Sequence, residues 1–184
     1  QVVNYVEAHD NYNLHDLLVE LHPDDDDLTR TKRIELATAM NLLLQGMSFM
    51  ELGQEFSRSK LIATGENGQT IQEDHERAMN SYNAPDTVNQ VNWDLIADHQ
   101  ESIDYIKKII HLKTMTKEFS YQHYEDIYQH VFVHSAHTGS GVVIFEVKDE
   151  KYYLIIFNAS GQSYNIEDIG NLRLVAGNSR QVSD

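Results

Sequence analysis

Hydrophobic and polar positions change rhythm three times along this chain. Val2 to Glu7 is a Gly- and Pro-free apolar run rich in β-branched residues, which predicts a buried strand. Leu14, Leu17, Leu18 and Leu21 then recur at helical spacing, and Pro23 ends that helix. A second helix follows, with Asp27 or Thr29 as its cap. Ile34, Ala37, Met40, Leu43 and Leu44 form its apolar stripe, and Gly46 is its stop. Met47 to Leu52 reads as another short buried strand, broken by Gly53, with Gln54 and Glu55 at its end. Strand, helix, strand, with polar groups at each strand end, is the alternation of a parallel sheet.

The rhythm fades from about Ser57 to Asn83, a polar, Gly-containing stretch without a sustained period. A connection this long in a compact domain is more often functional than idle. A third helix is predicted over about Asp98 to Met115, where Ile103, Ile106, Ile109 and Ile110 keep the 3.6 period. Three short β-rich runs come next: YQHVFVHSA, GVVIFEV and KYYLIIFNAS. They are parted by HTGSG and KDEK, which is antiparallel texture. The fold class is therefore α/β followed by all-β, with a boundary near Lys117 to Tyr121 dividing residues 1–118 from 119–184.

Charge and composition narrow the partners. A net charge of −15 and a pI near 4.9 repel phosphate backbones, so nucleic acid is not an expected partner, whereas an uncharged substrate is indifferent. No apolar run is long enough to span a bilayer and no basic-then-apolar leader opens the chain, so no membrane partner is expected either. With no Cys, neither disulfides nor a thiolate contribute. That suits a bacterial cytosol and a bacterial surface alike, with the cytosol slightly favoured. The acidic run Asp24 to Asp27 lacks the alternating ligands and central Gly of a calcium loop, and reads as a solvated loop that caps the next helix.

Three features carry candidate chemistry. His9-Asp10 stands at the end of the first strand. A dipeptide of this kind alone is more often structural than functional; its place at a strand end, where parallel α/β folds build sites, and the second polar strand end at Gln54-Glu55 bring the two readings level. In HVFVHSAH, His130 and His134 would share one face of a strand, with His137 close by. No carboxylate or Cys completes a ligand set, so no metal site is named and no cofactor is expected. The segment NSYNAPDTVNQVNW interleaves amides with Tyr82 and Trp93. Amides and flat aromatic faces suit sugars, and the same residues also suit an Asx-turn loop before a helix.

Taken together, these stretches resemble a known family. NYVEAHDN resembles the seventh-strand motif of α-amylase-type glycoside hydrolases, and its continuation NYNLHDLL resembles the debranching branch, the type I pullulanases. LLLQGMSFMELGQEFSRSK is similar to that branch's eighth strand and its end, although QGMSF carries Met and Ser where the family usually has Ile and Pro. NSYNAPDTVNQVNW is similar to the loop beyond. The likeness runs with gaps from Val3 to about Asn158. Later residues match poorly, as in a truncated sandwich.

The resemblance implies the C-terminal part of a (β/α)8 barrel, about its last two βα units, plus the start of an antiparallel β-sandwich. It implies an enzyme that cleaves α-1,6-glucosidic branch linkages of an α-glucan with retention. In that family a nucleophile lies at the fourth strand, a general acid at the fifth and a third carboxylate at the seventh. Asp10 aligns with the third, as transition-state stabiliser, and His9 with a sugar-binding His. Asn11 would orient the pair, and Glu55, Asn80 and Tyr82 would line outer subsites. No stretch matches the fourth- and fifth-strand motifs, so the chain by itself is expected to be inactive and to self-associate through unpaired sheet edges. Two rival readings are a non-catalytic glucan-binding or interaction module and an α-1,4-specific, amylase- or isoamylase-like parent.

Overall fold

The first strand is shorter and wetter than its sequence predicts. In a computed structural model describing residues 2–134, 139–166 and 170–177, only β1 (Val3–Asn4) is regular strand, paired in parallel with β2 (Met47–Ser48). Val2, Val3, Tyr5, Met47, Phe49 and Leu52 are exposed, which corrects the expectation of two buried strands. Burial of a parallel strand comes from neighbours on both edges and cover on both faces. Among the described residues β1 and β2 have only each other.

Between them lie α1 (Leu14–Leu21) and α2 (Asp27–Leu43). The cap of α2 is Asp26, one residue before the expected position, and its carboxylate accepts the Thr29 N–H at 2.8 Å. The acidic run is thus used locally, with Asp25 pairing Arg33 at 2.6 Å and Asp27 pairing Arg30 at 3.1 Å. Gly46, at φ +95°, makes the left-handed turn from α2 into β2.

The stretch after β2 is not structureless. A 3-10 turn, Gln54–Phe56, follows Gly53, and α3 (Gln72–Met79) stands within the polar region, where no helix was predicted. Two short helices, α4 (Asp86–Asn89) and α5 (Leu95–Asp98), lead into α6 (Gln100–Met115). A further helix, α7 (Tyr124–His130), precedes an antiparallel sheet of β3 (Val131–Val133), β4 (Val142–Lys148) and β5 (Tyr152–Asn158), in the order β3-β4-β5. The antiparallel expectation holds. His130 ends α7, however, so it does not share a strand face with His134, and His137 lies outside the described residues.

One core joins helices and sheet. Ala39, Leu42 and Leu43 of α2 pack with Ile106 and Ile109 of α6, with Phe119, and with Phe145, Val147, Ile155 and Phe157 of the sheet. Phe119 is fully buried, its ring centroid 5.1 Å from that of Tyr153. Polar bonds cross the same join. Gln45 donates to Glu118 O at 2.7 Å and accepts from Tyr121 N at 3.2 Å. Lys113 Nζ donates to Leu44 O (2.7 Å), Gly46 O (3.0 Å) and Phe119 O (2.7 Å), tying the end of α2 and the turn after it to the join.

Candidate active-site corner

Because β1 and β2 run parallel, the chain leaves both at the same end, and the turns carrying His9–Asn11 and Gly53–Glu55 emerge together. His9 and Asp10 stand in solvent, with side chains 82% and 75% exposed and His9 Nε2 3.6 Å from Asp10 Oδ2. Asn11 follows at φ +64°, a left-handed conformation that Asn tolerates better than most residues.

What holds this turn lies beneath it. Lys60 is only 3% exposed, and its ammonium donates to Asn11 O, to His9 O at 3.4 Å and to Ser81 Oγ at 3.2 Å. Burial lowers the Lys60 pKa, with Asp16 opposing that shift. Lys60 is anchored in turn, since its backbone N–H donates to Asp16 Oδ2 at 2.7 Å. Fully buried Asp16 also accepts the Ser59 hydroxyl at 2.5 Å and lies 3.2 Å from His15 Nδ1. The Ser59 side of this network opens on a groove of about 800 Å³, where hydroxyls and amides of Ser57, Thr87, Gln90 and Asn92 stand among apolar Leu61 and Ile62.

A second basic residue braces the other loops. Arg58 donates to Leu52 O at 3.3 Å and Asn89 O at 2.5 Å, and lies 3.6 Å from Glu51. Asn13 Nδ2 donates to Arg58 O, and Asn89 Nδ2 donates to Ser81 O. Glu7, buried below the turn, accepts the Leu14 N–H at the start of α1. Its pKa is raised to about 7, chiefly by burial and further by Glu51 and Asp16, against the Leu14 bond and Arg58.

The structure thus gathers the predicted residues unevenly. Asn80 and Tyr82 are exposed and flank the buried Ser81 that Lys60 holds, so this loop and the His9–Asn11 turn meet at one ammonium. Glu55 stays within its own turn, accepting the Gly53 N–H at 3.2 Å. Trp93 rests on Phe56, with ring centroids 6.1 Å apart. The residues that do the holding, Lys60, Asp16 and Arg58, were not singled out from the sequence. Their one signal there was a local cluster of charge, Arg58-Ser59-Lys60, directly after the second strand end. At the far end of the chain, His130 bonds Lys148 O at 2.7 Å and His134 lies 3.5 Å from Glu146.

No protein-family model matches the chain. Known proteins do. Over 131 residues it is 33% identical to the pullulanase of Bacillus subtilis, a match covering 71% of this chain and 16% of that protein. The chain is thus homologous to a small segment of a pullulanase. Solved pullulanases agree in fold. One from Anoxybacillus, complexed with maltotriose, is 34% identical with a TM-score of 0.65, and the match covers 79% of this chain and 18% of that one. A mutant pullulanase from Paenibacillus barengoltzii, complexed with maltotetraose, is 29% identical with a TM-score of 0.74, covering 93% and 25%. The chain therefore spans between about a sixth and a quarter of the length of these pullulanases.

Proposed function

We propose that this chain forms one wall of the substrate cleft of a debranching glycoside hydrolase that cleaves α-1,6-glucosidic linkages in an α-glucan with retention. Residues 1–118 are its share of the catalytic (β/α)8 barrel, and 119–184 belong to the β-sandwich beside it. Asp10 is the third carboxylate. As the glycosidic bond breaks, positive charge grows on the sugar ring, and a carboxylate fixed nearby stabilises that oxocarbenium-like state more than the ground state. His9 donates to a ring hydroxyl, and Asn11 orients the pair. Asn80, Tyr82 and Glu55 contact sugars further along the glucan.

The observation that carries this reading is the combination at the strand end. An exposed His9-Asp10 pair rides on backbone pinned by a buried ammonium, within a segment homologous to pullulanases. Side chains meant for a substrate are left open, while the peptide that aims them is fixed. The maltotriose and maltotetraose bound to two of the solved relatives support an α-glucan as ligand. In this reading the nucleophile and the general acid belong to other strands of the barrel, so this stretch by itself is inactive. The exposed edges of β1 and β2 lead it to associate.

Pullulan turnover by the whole enzyme, with and without Asp10→Asn, tests this. Loss of the third carboxylate should lower kcat by roughly 10³-fold, on the order of several kcal/mol of barrier. Turnover within a few-fold of the unaltered enzyme would show that the pair is structural.

A further inference from the structure

Building on the role given to Asp10 above, we infer that Lys60 is the positioning residue that sets Asp10. The argument begins with donor arithmetic. An ammonium has three N–H groups, and that of Lys60 meets three oxygens: His9 O, Asn11 O and Ser81 Oγ. None of its donors is left over for a substrate, so Lys60 acts through what it holds.

What it holds is specific. His9 O belongs to the peptide that leads into Asp10, and Asn11 O to the second peptide after that one. The two carbonyls bracket Asp10, so fixing both fixes the direction in which its Cα–Cβ bond points. The turn needs this support. Among the described residues Asp10 has no hydrogen bond or ion pair beyond its 3.6 Å approach to His9, and Asn11 sits at φ +64°. An exposed carboxylate on such a turn would otherwise sample many directions. The third bond couples the same clamp to Ser81, and so to the loop bearing Asn80 and Tyr82.

Lys60 cannot drift either. Its backbone N–H is held by Asp16, and its neighbours Arg58 and Ser59 are bonded to Asn89 O and Asp16. Three segments far apart in sequence, 7–16, 51–60 and 81–90, thus meet around one side chain. A misplacement of about 1 Å at a reacting centre can cost on the order of 10²-fold in rate. Losing the clamp should therefore show in kcat before it shows in substrate affinity.

The test is a double-mutant cycle on pullulan in the whole enzyme: unaltered, Lys60→Met, Asp10→Asn and both together, with melting temperature measured alongside. Lys60→Met alone should lower kcat roughly 10- to 100-fold with KM moved less than about 3-fold. Once Asp10 is Asn there is no carboxylate to aim, and the further loss from Lys60→Met should shrink below about 3-fold. An equal loss in both backgrounds would overturn the proposal and leave Lys60 as scaffold. So would an unchanged kcat in the single variant. If Asp10→Asn alone leaves turnover intact, the role of Asp10 fails first, and the proposal with it. Should Lys60→Met not fold, Lys60→Gln keeps two N–H donors without the charge. It should give a smaller kcat loss that vanishes in the same way with Asp10→Asn, and persistence of that loss would again overturn the proposal.

Discussion

Asp16 is the residue on which the candidate corner rests, and its removal has a calculable cost. It is 0% exposed and accepts from Lys60 N at 2.7 Å and Ser59 Oγ at 2.5 Å, with His15 Nδ1 at 3.2 Å. Asp16→Ala deletes every one of these acceptors. A hydrogen bond to an ionised acceptor contributes about 1.5–3 kcal/mol net, and a buried N–H left without a partner costs about 1–3 kcal/mol. The Ser59 hydroxyl can turn toward solvent, whereas the Lys60 N–H, lying under the turn, cannot. The balance is a loss of roughly 3–5 kcal/mol, or roughly 10 °C in melting temperature for a chain of this size. Asp16→Asn retains one acceptor oxygen and should lose about half as much. Thermal and urea unfolding of all three chains, followed by far-UV circular dichroism, gives the comparison. A loss below about 1 kcal/mol for Asp16→Ala would refute the hydrogen-bond accounting and mean that Lys60 and Ser59 are held by something else.

Other outcomes follow from single positions. Gly53→Ala places a Cβ 2.6 Å from Arg58 Cβ at φ +98° and should cost about 2–3 kcal/mol, seen as a lower urea midpoint. For Glu7, burial raises the folded-state pKa from 4.5 to about 7, so the folded chain holds that proton more tightly than the unfolded one. Stability from this group is full below pH 4.5 and is lost as pH rises through about 7, by about 3 kcal/mol. Glu7→Gln, which keeps an acceptor for Leu14 N–H, should flatten that dependence and be the more stable chain at pH 8. Asp74 behaves in the opposite sense. Burial pushes its pKa up, but bonds from the Thr64 hydroxyl, Thr64 N and Ile71 N, with Arg77, outweigh this and bring it to about 2. Its stabilisation is present above pH 3.8 and lost as pH falls through about 2, so Asp74→Asn should remove that acid-induced step in α3, readable by proteolysis of residues 61–80.

Much of the fold was legible because it is local. Helices α2 and α6 and the turn-parted strands β4 and β5 all stand where periodicity placed them, but the core face of α2 is Ala39, Leu42 and Leu43, while Leu44, at the end of the predicted stripe, is exposed. What failed was context. Val2 to Glu7 has the composition of a buried strand, but burial belongs to neighbours as much as to the residues themselves. Helix α3 escaped notice because QEDHERAM has almost no apolar stripe, and its start is fixed instead by Asp74 reaching Thr64 and Ile71. In α7 the run YQHVFV reads as strand throughout, yet helix persists to His130 before β3 begins. The exposed half of the candidate site, His9, Asp10 and Asn11, could be singled out as residues. The supporting half could not, since Asp16 and Lys60 meet across 44 positions of sequence and neither type is expected inside.

The join around Phe119 has a consequence for how this chain comes apart. A strand diagram invites a cut there, between helices and sheet. The buried faces do not respect that line, because the inner faces of β4 and β5 are lined by the same side chains that close over α2 and α6. Severing the two halves would bare Phe145, Val147, Ile155 and Phe157 on one piece and Leu42, Leu43 and Ile106 on the other, with Gln45 and Lys113 stripped of their bonds to Glu118 and Phe119. Helix and sheet should therefore melt in a single transition. A piece cut from about residue 119 would inherit a raw wound where the intact protein has an interior.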